Sequence, residues 1–294
     1  MKAAILTDST ATLNDRLLNH PDIYYVSLQL HFSSGETFIE SEDRSILPEF
    51  YHRLKNAKEL PKTSQPRPQD FYAIYEELVD KGYDTVFFIP LSAVLSGTSQ
   101  TGQSVASEFE DQIKTYVIDT GRAATPLRYL VSQALDLVEA GAEPEEVVTK
   151  IKWLNAHTTI WALVGDINNL VKGGRASRAQ GLLGSLLKIV PLIEFDQEGN
   201  ISVLAKVRTK RKALMKLADA FIEEAKKYSQ GYKGTIAHAD DESGAKELAD
   251  LIREKLPDIE IEFDWLTPVV GTHGGTGTLA TAVLPSLKNY LLTK

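Results

Sequence analysis

The sequence predicts an α/β protein of two α/β domains with mainly parallel sheets. Two observations carry this. Short apolar runs rich in β-branched and aromatic residues alternate with amphipathic helical patterns, the order produced by repeated βαβ units. The chain also has 294 residues, long for one core and well suited to two domains of ordinary size.

Strands are expected at AAILTD (3–8), YYVSLQLHF (24–32), TVFFIPL (85–91), TYVID (115–119), TIWALVG (159–165), TIAHA (235–239) and IEIEFDWL (259–266). Each is a short apolar run bounded by polar or turn residues. A helix is expected over Phe71–Lys81, where Phe71, Ile74, Tyr75, Leu78 and Val79 recur at helical spacing. Further helical patterns cover Pro126–Glu139, Glu143–Asn155, Arg211–Tyr228, Glu242–Lys255 and Leu279–Leu292. The domain break is expected after KIKWLNAH, giving domains 1–157 and 158–294.

Composition removes several function classes. Acidic residues outnumber Lys and Arg by 40 to 32, a net charge of −8, so nucleic acid is not an expected partner. With 0 cysteines there is no disulfide, thiolate nucleophile or cysteine metal site. The 6 histidines form no His-x-x-x-His or His-Glu-x-x-His pattern, so no metal is expected. No P-loop and no Gly-x-Ser-x-Gly elbow occurs, and no cofactor is expected. The N-terminal apolar run is too short for a signal peptide, and no run reaches the ~18 residues of a membrane span. A cytoplasmic protein without stable membrane insertion is the expectation.

Seven stretches could carry chemistry. In ELPKTSQPRPQD (Glu59–Asp70), three prolines mark a loop that places Thr63 and Ser64 just before a helix. In LSAVLSGTSQ, Ser96, Gly97 and Thr98 follow a strand and open a helix, where a ligand or an ordinary N-cap explains the hydroxyls. Asp8-Ser9-Thr10 and Asp119-Thr120 make two more hydroxyl-bearing strand ends, and together these point to one polar pocket with neutral donors. KGGR (Lys172–Arg175) reads as a glycine helix end with cations, or as a cationic loop for phosphate or an acidic partner. AKVRTKRKAL (Ala205–Leu214) gathers Lys206, Arg208, Lys210, Arg211 and Lys212, either as a solvated helix start or as a docking patch. In TPVVGTHGGTGTLATA (Thr267–Ala282), His273 lies in a glycine-rich turn that reads as the approach to a helix and an anion site. Gly275-Thr276-Gly277 is not a dinucleotide fingerprint, because that needs an acidic residue about 20 positions on and only 17 residues follow Gly277.

The motifs TDSTATL, KTSQP, LSAVLSGTSQ, KGGR, LLKIVPLIEFDQEG, KVR and HGGTG occur in the order and spacing of the DegV family, from about residue 3 to about residue 285. The resemblance implies two α/β domains holding one long-chain fatty acid between them. It implies that Thr63, Ser96 and His273 hold the carboxylate, with Ser64 and Gly97 beside them in the same two loops. It further implies a fatty-acid carrier and not an enzyme. Family members present the carboxylate to a separate ATP-using fatty acid kinase, which makes an acyl phosphate for phospholipid synthesis. Arg175 and Arg208 would serve partner docking or the phosphorylated head. Two departures stand out: Thr276 replaces the usual proline of the tail, and Asp119-Thr120-Gly121 lacks the usual lysine.

The physics of such a site is consistent. Burying an acyl chain of roughly sixteen carbons supplies about 12 kcal/mol gross. The head group then needs position more than strength, and neutral hydroxyls leave its oxygen more nucleophilic than an arginine clamp would. Arg67, just past the KTSQ loop, is expected to face solvent. GLLGSLLKIVPLI (Gly181–Ile193) is a candidate tunnel wall, though plain core accounts for most of its side chains. The alternative function is a stand-alone enzyme on a small acyl or phosphorylated substrate, with Ser96 or Ser9 as nucleophile and His273 as base.

Overall fold

The computed structural model describes residues 1–175 and 189–292. Its first sheet joins β1 (Ala3–Asp8), β2 (Ile23–Val26), β6 (Thr85–Phe88) and β7 (Lys114–Val117) in the order β2-β1-β6-β7, all parallel. Parallel pairing requires crossovers, and these supply helices to both faces. On one face α3 (Pro68–Asp80) and α4 (Thr98–Glu108) pack Phe71, Tyr75 and Val105 against Val86 and Phe88. On the other, α5 (Ala124–Glu139) and α6 (Pro144–Ala156) bring Leu127, Leu130, Leu135 and Ile151 to the core that holds Ile5 and Phe87.

The second sheet has six strands in the order β10-β9-β8-β13-β11-β12. These are β8 (Thr159–Leu163), β9 (Val190–Phe195), β10 (Ile201–Val207), β11 (Tyr232–His238), β12 (Ile261–Trp265) and β13 (Leu279–Pro285). One face is covered by α8 (Lys210–Ala225) and α9 (Glu242–Arg253), where Leu214, Leu217, Phe221, Leu248 and Ile252 meet Trp161, Leu163, Ile236 and Val283. A small antiparallel sheet of β3 (Gln29–His31), β4 (Thr37–Ile39) and β5 (Lys62–Ser64) is inserted in sequence between β2 and β6 of the first sheet. The remaining helices are α1 (Asp15–Leu18), α2 (Leu47–Asn56), α7 (Ile167–Lys172) and α10 (Pro268–Gly274).

The α/β class with two sheets is as the sequence predicts, but mainly parallel pairing holds only for the first sheet. In the second, only β11–β12 is parallel; β8–β9, β9–β10, β8–β13 and β11–β13 are antiparallel. The difference has one main source. Residues 279–285, expected to begin a helix over Leu279–Leu292, form strand β13 in the middle of the sheet, and only 287–292 turn as a short 3-10 helix. A strand buried on both faces is apolar throughout, so periodicity does not separate it from a buried helix. The run expected as one strand over 24–32 is likewise two strands, β2 and β3, in different sheets.

The two halves are tied together. Arg128 on α5 pairs with Asp264 and Glu262 of β12, and Arg44 reaches Asp264 at 2.9 Å. The largest core group combines Leu28, Phe50, Tyr51 and Leu127 with Leu266 and Val269.

Candidate functional site

Between the first half of the chain and the free face of the second sheet runs a channel of about 1050 Å³, its mouth included. The centre of a water molecule could sweep only about 150 Å³ of it, so it is narrow. Its floor follows from strand parity, since alternate residues share a face. On β8, Ile160 and Ala162 point into the channel and Val164 follows past the strand end, while Trp161 and Leu163 turn to α8 and α9. The register sets Ala162 beside Ile193 and Ala280, and Ile160 beside Phe195 and Ala282. Alanines in mid-sheet with larger groups at the side make a trough. From Val164 to Ile160 the floor runs about 13 Å. Leu28, Leu91, Ala123 and Ala124 from the first half, with Val269 and Val270 of α10, close it.

One end of this apolar channel is polar. Thr63, Ser64, Ser96, Arg175, His273 and Thr278 line it there. Thr63 lies on β5, a three-residue strand bracketed by prolines rather than the expected loop, and pairs with Leu30. Its Oγ1 is 2.9 Å from His273 Nε2 across 210 residues of sequence. Ser64 Oγ is 2.9 Å from His31 Nε2, so a β3 side chain already engages it. Ser96 Oγ lies 2.9 Å from Thr98 Oγ1 and accepts from the Thr98 backbone N–H at 3.3 Å; the N-cap of α4 is Gly97 and has no side-chain cap bond, so Ser96 is one residue ahead of the cap.

His273 is not in a turn before a helix, as expected; it sits in the last turn of α10, and a strand follows. The helix-dipole argument for an anion site at that turn therefore fails. What matters is burial: desolvation, with the Arg175 charge adding to it, pushes the imidazole down to about 4. It is neutral at pH 7. Its Nδ1 is buried without a partner.

The first half of the chain holds α10 in place. Glu40 Oε1 accepts from Val269 N–H at 2.7 Å in the first turn of α10, and Glu40 Oε2 accepts from Ser9 Oγ at 2.6 Å. Tyr51 donates to Leu266 O at 2.7 Å and packs so closely on Gly271 that a Cβ there would lie 2.1 Å from the hydroxyl. Burial raises the Glu40 carboxyl to about 7. Glu40 and Tyr51 carried no motif in the sequence; a buried acid is visible only once the fold is known.

The two glycines of KGGR have different jobs. A Cβ on Gly173 would meet His273 Nδ1 at 2.3 Å, so the ring rests against bare backbone. Gly174 has open space around it but φ +74, the left-handed conformation that ends α7. Arg175 then donates to Leu95 O at 3.0 Å and Gly173 O at 2.7 Å, at the channel rim. Gly97 lies outside the channel, facing a neighbouring groove with Ser96 and Arg175. Its missing side chain makes room for Gln65, whose Oε1 would be 2.0 Å from a Cβ.

Other expected contributors fall elsewhere. Arg208, exposed between β10 and α8, is not among the channel-lining residues. Lys210 pairs with Asp241 at 2.6 Å. Asp8, Ser9, Thr10 and Thr120 are buried, but they tie backbone together instead of making one polar pocket: Asp8 accepts from Leu91 and Thr10 N–H, and Thr120 reaches Pro90 O. Burial raises Asp8 to about 6. Arg67 pairs with Asp70 at the surface. Of the expected wall at 181–193, residues 181–188 lie outside the described residues, and Ile193 lines the channel.

Arg122 gave no signal in the sequence. It is 1% exposed and donates to Asn155 Oδ1, Asn155 O, Thr158 O and Asp196 O at 2.7–3.0 Å. Burial lowers it to about 10. It anchors the 119–123 loop, after which Ala124 adopts φ +57 at the channel wall.

Among the described residues no serine reaches the imidazole in a nucleophile–base arrangement: the partner of His273 is Thr63, Ser9 bonds Glu40, and no third group orients Nδ1. Among the described residues no group of His, Asp and Glu could hold a metal ion, and no helix is long and apolar enough to cross a membrane. The arrangement can receive an apolar chain with an acceptor group at its polar end.

Comparison with known proteins agrees over the length of the chain. A family model described as an uncharacterised protein of the DegV family matches residues 2–286. The DegV domain-containing protein of Halalkalibacterium halodurans is 36% identical over 278 residues, covering 95% of this chain and 96% of that protein. Among solved structures, a fatty acid binding DegV family protein from Streptococcus agalactiae is similar with a TM-score of 0.89 at 31% identity, covering 97% of this chain and 99% of that one. DegV, a fatty acid binding protein from Bacillus subtilis, gives 0.86 at 31% identity, covering 97% and 100%. The chain belongs to the DegV family.

Proposed function

We propose that this protein is a cytoplasmic carrier of one long-chain fatty acid, which it presents to an ATP-using kinase for acyl-phosphate formation and phospholipid synthesis. The observation that carries the reading is a narrow, mainly apolar channel with a polar end built from Thr63, Ser96 and a buried neutral His273. Similar solved proteins named as fatty acid binding support the ligand class. Residues 1–157 and 158–294 act as the two jaws. The hydroxyls of Thr63 and Ser96 and the imidazole hold the carboxylate as neutral donors, with Ser64 and Gly97 shaping the two loops. Arg175 at the rim and Arg208 outside it serve the partner or the phosphorylated head. The kinase step rests on the family resemblance of the motifs, and rim exposure of the head group is what it requires.

The test is mass spectrometry of an organic extract of the purified protein beside a Thr63→Val/Ser96→Ala variant. A stoichiometric fatty acid in the wild type, lost from the variant, is expected. A lipid-free wild type that also fails to take up added fatty acid overturns the reading.

A further inference from the structure

The far end of the channel is not closed by apolar side chains alone. The floor row of Phe195, Ile160 and Ala282 continues onto β11, where the register places Thr235 beside Ala282, just as Ala237 stands beside Ala280. Above this row lies a second, smaller cavity of about 240 Å³, which shares Ala123, Ala124, Ile160 and Ala280 with the channel. About 30 Å³ of it is open to the centre of a water molecule, room for one or two waters. Thr235 and, in the first turn of α5, Thr125 line it. They are 2% and 1% exposed, and both hydroxyl oxygens are buried without a hydrogen-bond partner.

Alanines, Pro126 and Ile160 make most of the remaining wall, and the Thr281 hydroxyl there is already bonded to Thr235 O, so two unpartnered buried hydroxyls are costly unless an oxygen atom meets them. An ordered water does so when the acyl chain stops short. A chain that carries its own hydroxyl at that depth replaces the water and keeps its hydrogen bonds. We propose that the Thr125–Thr235 chamber is a subsite for a hydroxyl group on the distal part of the acyl chain, so that the ligand class includes hydroxylated long-chain fatty acids. The proposal rests on the fatty-acid reading above. Along Ala162, Val164, Ile193 and Val269 a hydroxyl would be buried against aliphatic walls unpaired, so the effect depends on its position along the chain.

The experiment uses delipidated full-length protein and measures the affinities of hexadecanoic acid and of its hydroxy derivatives, with the hydroxyl walked from carbon 10 to carbon 16. At one or two distal positions the derivative is expected to bind as tightly as the parent acid, and at the others about tenfold more weakly. In a Thr125→Val/Thr235→Val variant, which keeps side-chain shape, the favoured position loses about fivefold or more relative to the parent acid. A uniform loss at every position, or a favoured position that survives the double substitution, overturns the subsite while leaving the carrier reading intact. Failure of hexadecanoic acid and every derivative to bind overturns the carrier reading itself.

Discussion

Gly173 and Gly174 allow the head-group site to be separated from the stability of the helix beside it. At Gly173 the backbone is helical, φ −74, so alanine fits the conformation and would by itself stabilise the fold by about 0.4–1 kcal/mol. Its methyl group, however, would stand 2.3 Å from His273 Nδ1 and 2.7 Å from Cε1, where ordinary contact begins at 3.4 Å. The ring must shift by about 1 Å, which cannot preserve the present geometry between Nε2 and Thr63 Oγ1, now 2.9 Å apart. A buried imidazole left without its partner is worth about 1–3 kcal/mol, so fatty-acid affinity should fall about tenfold or more. At Gly174 the expectations reverse. Alanine meets nothing within 4 Å, yet φ +74 costs a side chain about 1–2 kcal/mol of stability, and affinity should stay within about twofold. Equilibrium displacement of a fluorescent fatty acid from delipidated protein reads binding, and urea unfolding reads stability. If Gly173→Ala binds like the wild type, or if Gly174→Ala is the variant that loses ligand, the assignment of His273 to the head group is wrong.

Three other outcomes follow from buried charge. Replacing Arg122 by methionine removes four hydrogen bonds to residues 155, 158 and 196; Asn155 O and Asp196 O keep their bonds from Thr158 and Gly199 N–H, but Asn155 Oδ1 and Thr158 O lose the guanidinium, and unfolding free energy should drop by about 2–4 kcal/mol in urea titrations, whereas a loss under about 1 kcal/mol would mean water takes over those bonds. The His273 ring should titrate near 4 by NMR in ligand-free protein. Because its folded value lies below the usual 6.5, its contribution of about 3 kcal/mol is complete above pH 6.5 and is lost as pH falls towards 4. Glu40 acts in the opposite sense. Its folded value of about 7 exceeds 4.5, so its contribution of about 3 kcal/mol is complete below pH 4.5 and lost as pH rises through 7, and Glu40→Gln should flatten that decline between pH 5 and 8.

Much of this could be read from the sequence, and for identifiable reasons. The strand at 3–8 and the helices begun by Pro68 and Pro144 carry strong local signals, short apolar runs and proline at the first turn. The conjunction of Thr63 with His273 was legible only through the family's motifs, since 210 residues separate them and no local rule pairs them. β13 was missed because LATAVLP satisfies helix and strand alike, and that error also hid the antiparallel character of the second sheet. The β9–β10 hairpin was missed too, although its Asp196–Asn200 turn, with Gly199 at φ +86, has the right chemistry. Arg122, Glu40 and Tyr51 could not be found this way, because each earns its place through partners far off in the chain.

The trough floor exists because Ala162 is small, with Ala280 and Ala282 beside the channel face of β8, while Trp161 with Leu163 lies on the opposite face. A single-residue insertion or deletion within that strand would exchange the two sets. The indole would then plug the channel, and the packing against α8 and α9 would lose its largest members in the same event. Capacity for ligand and cohesion of the second half are thus written in the same alternating code. Changes to the cargo must come by substitution at fixed positions, never by sliding the frame.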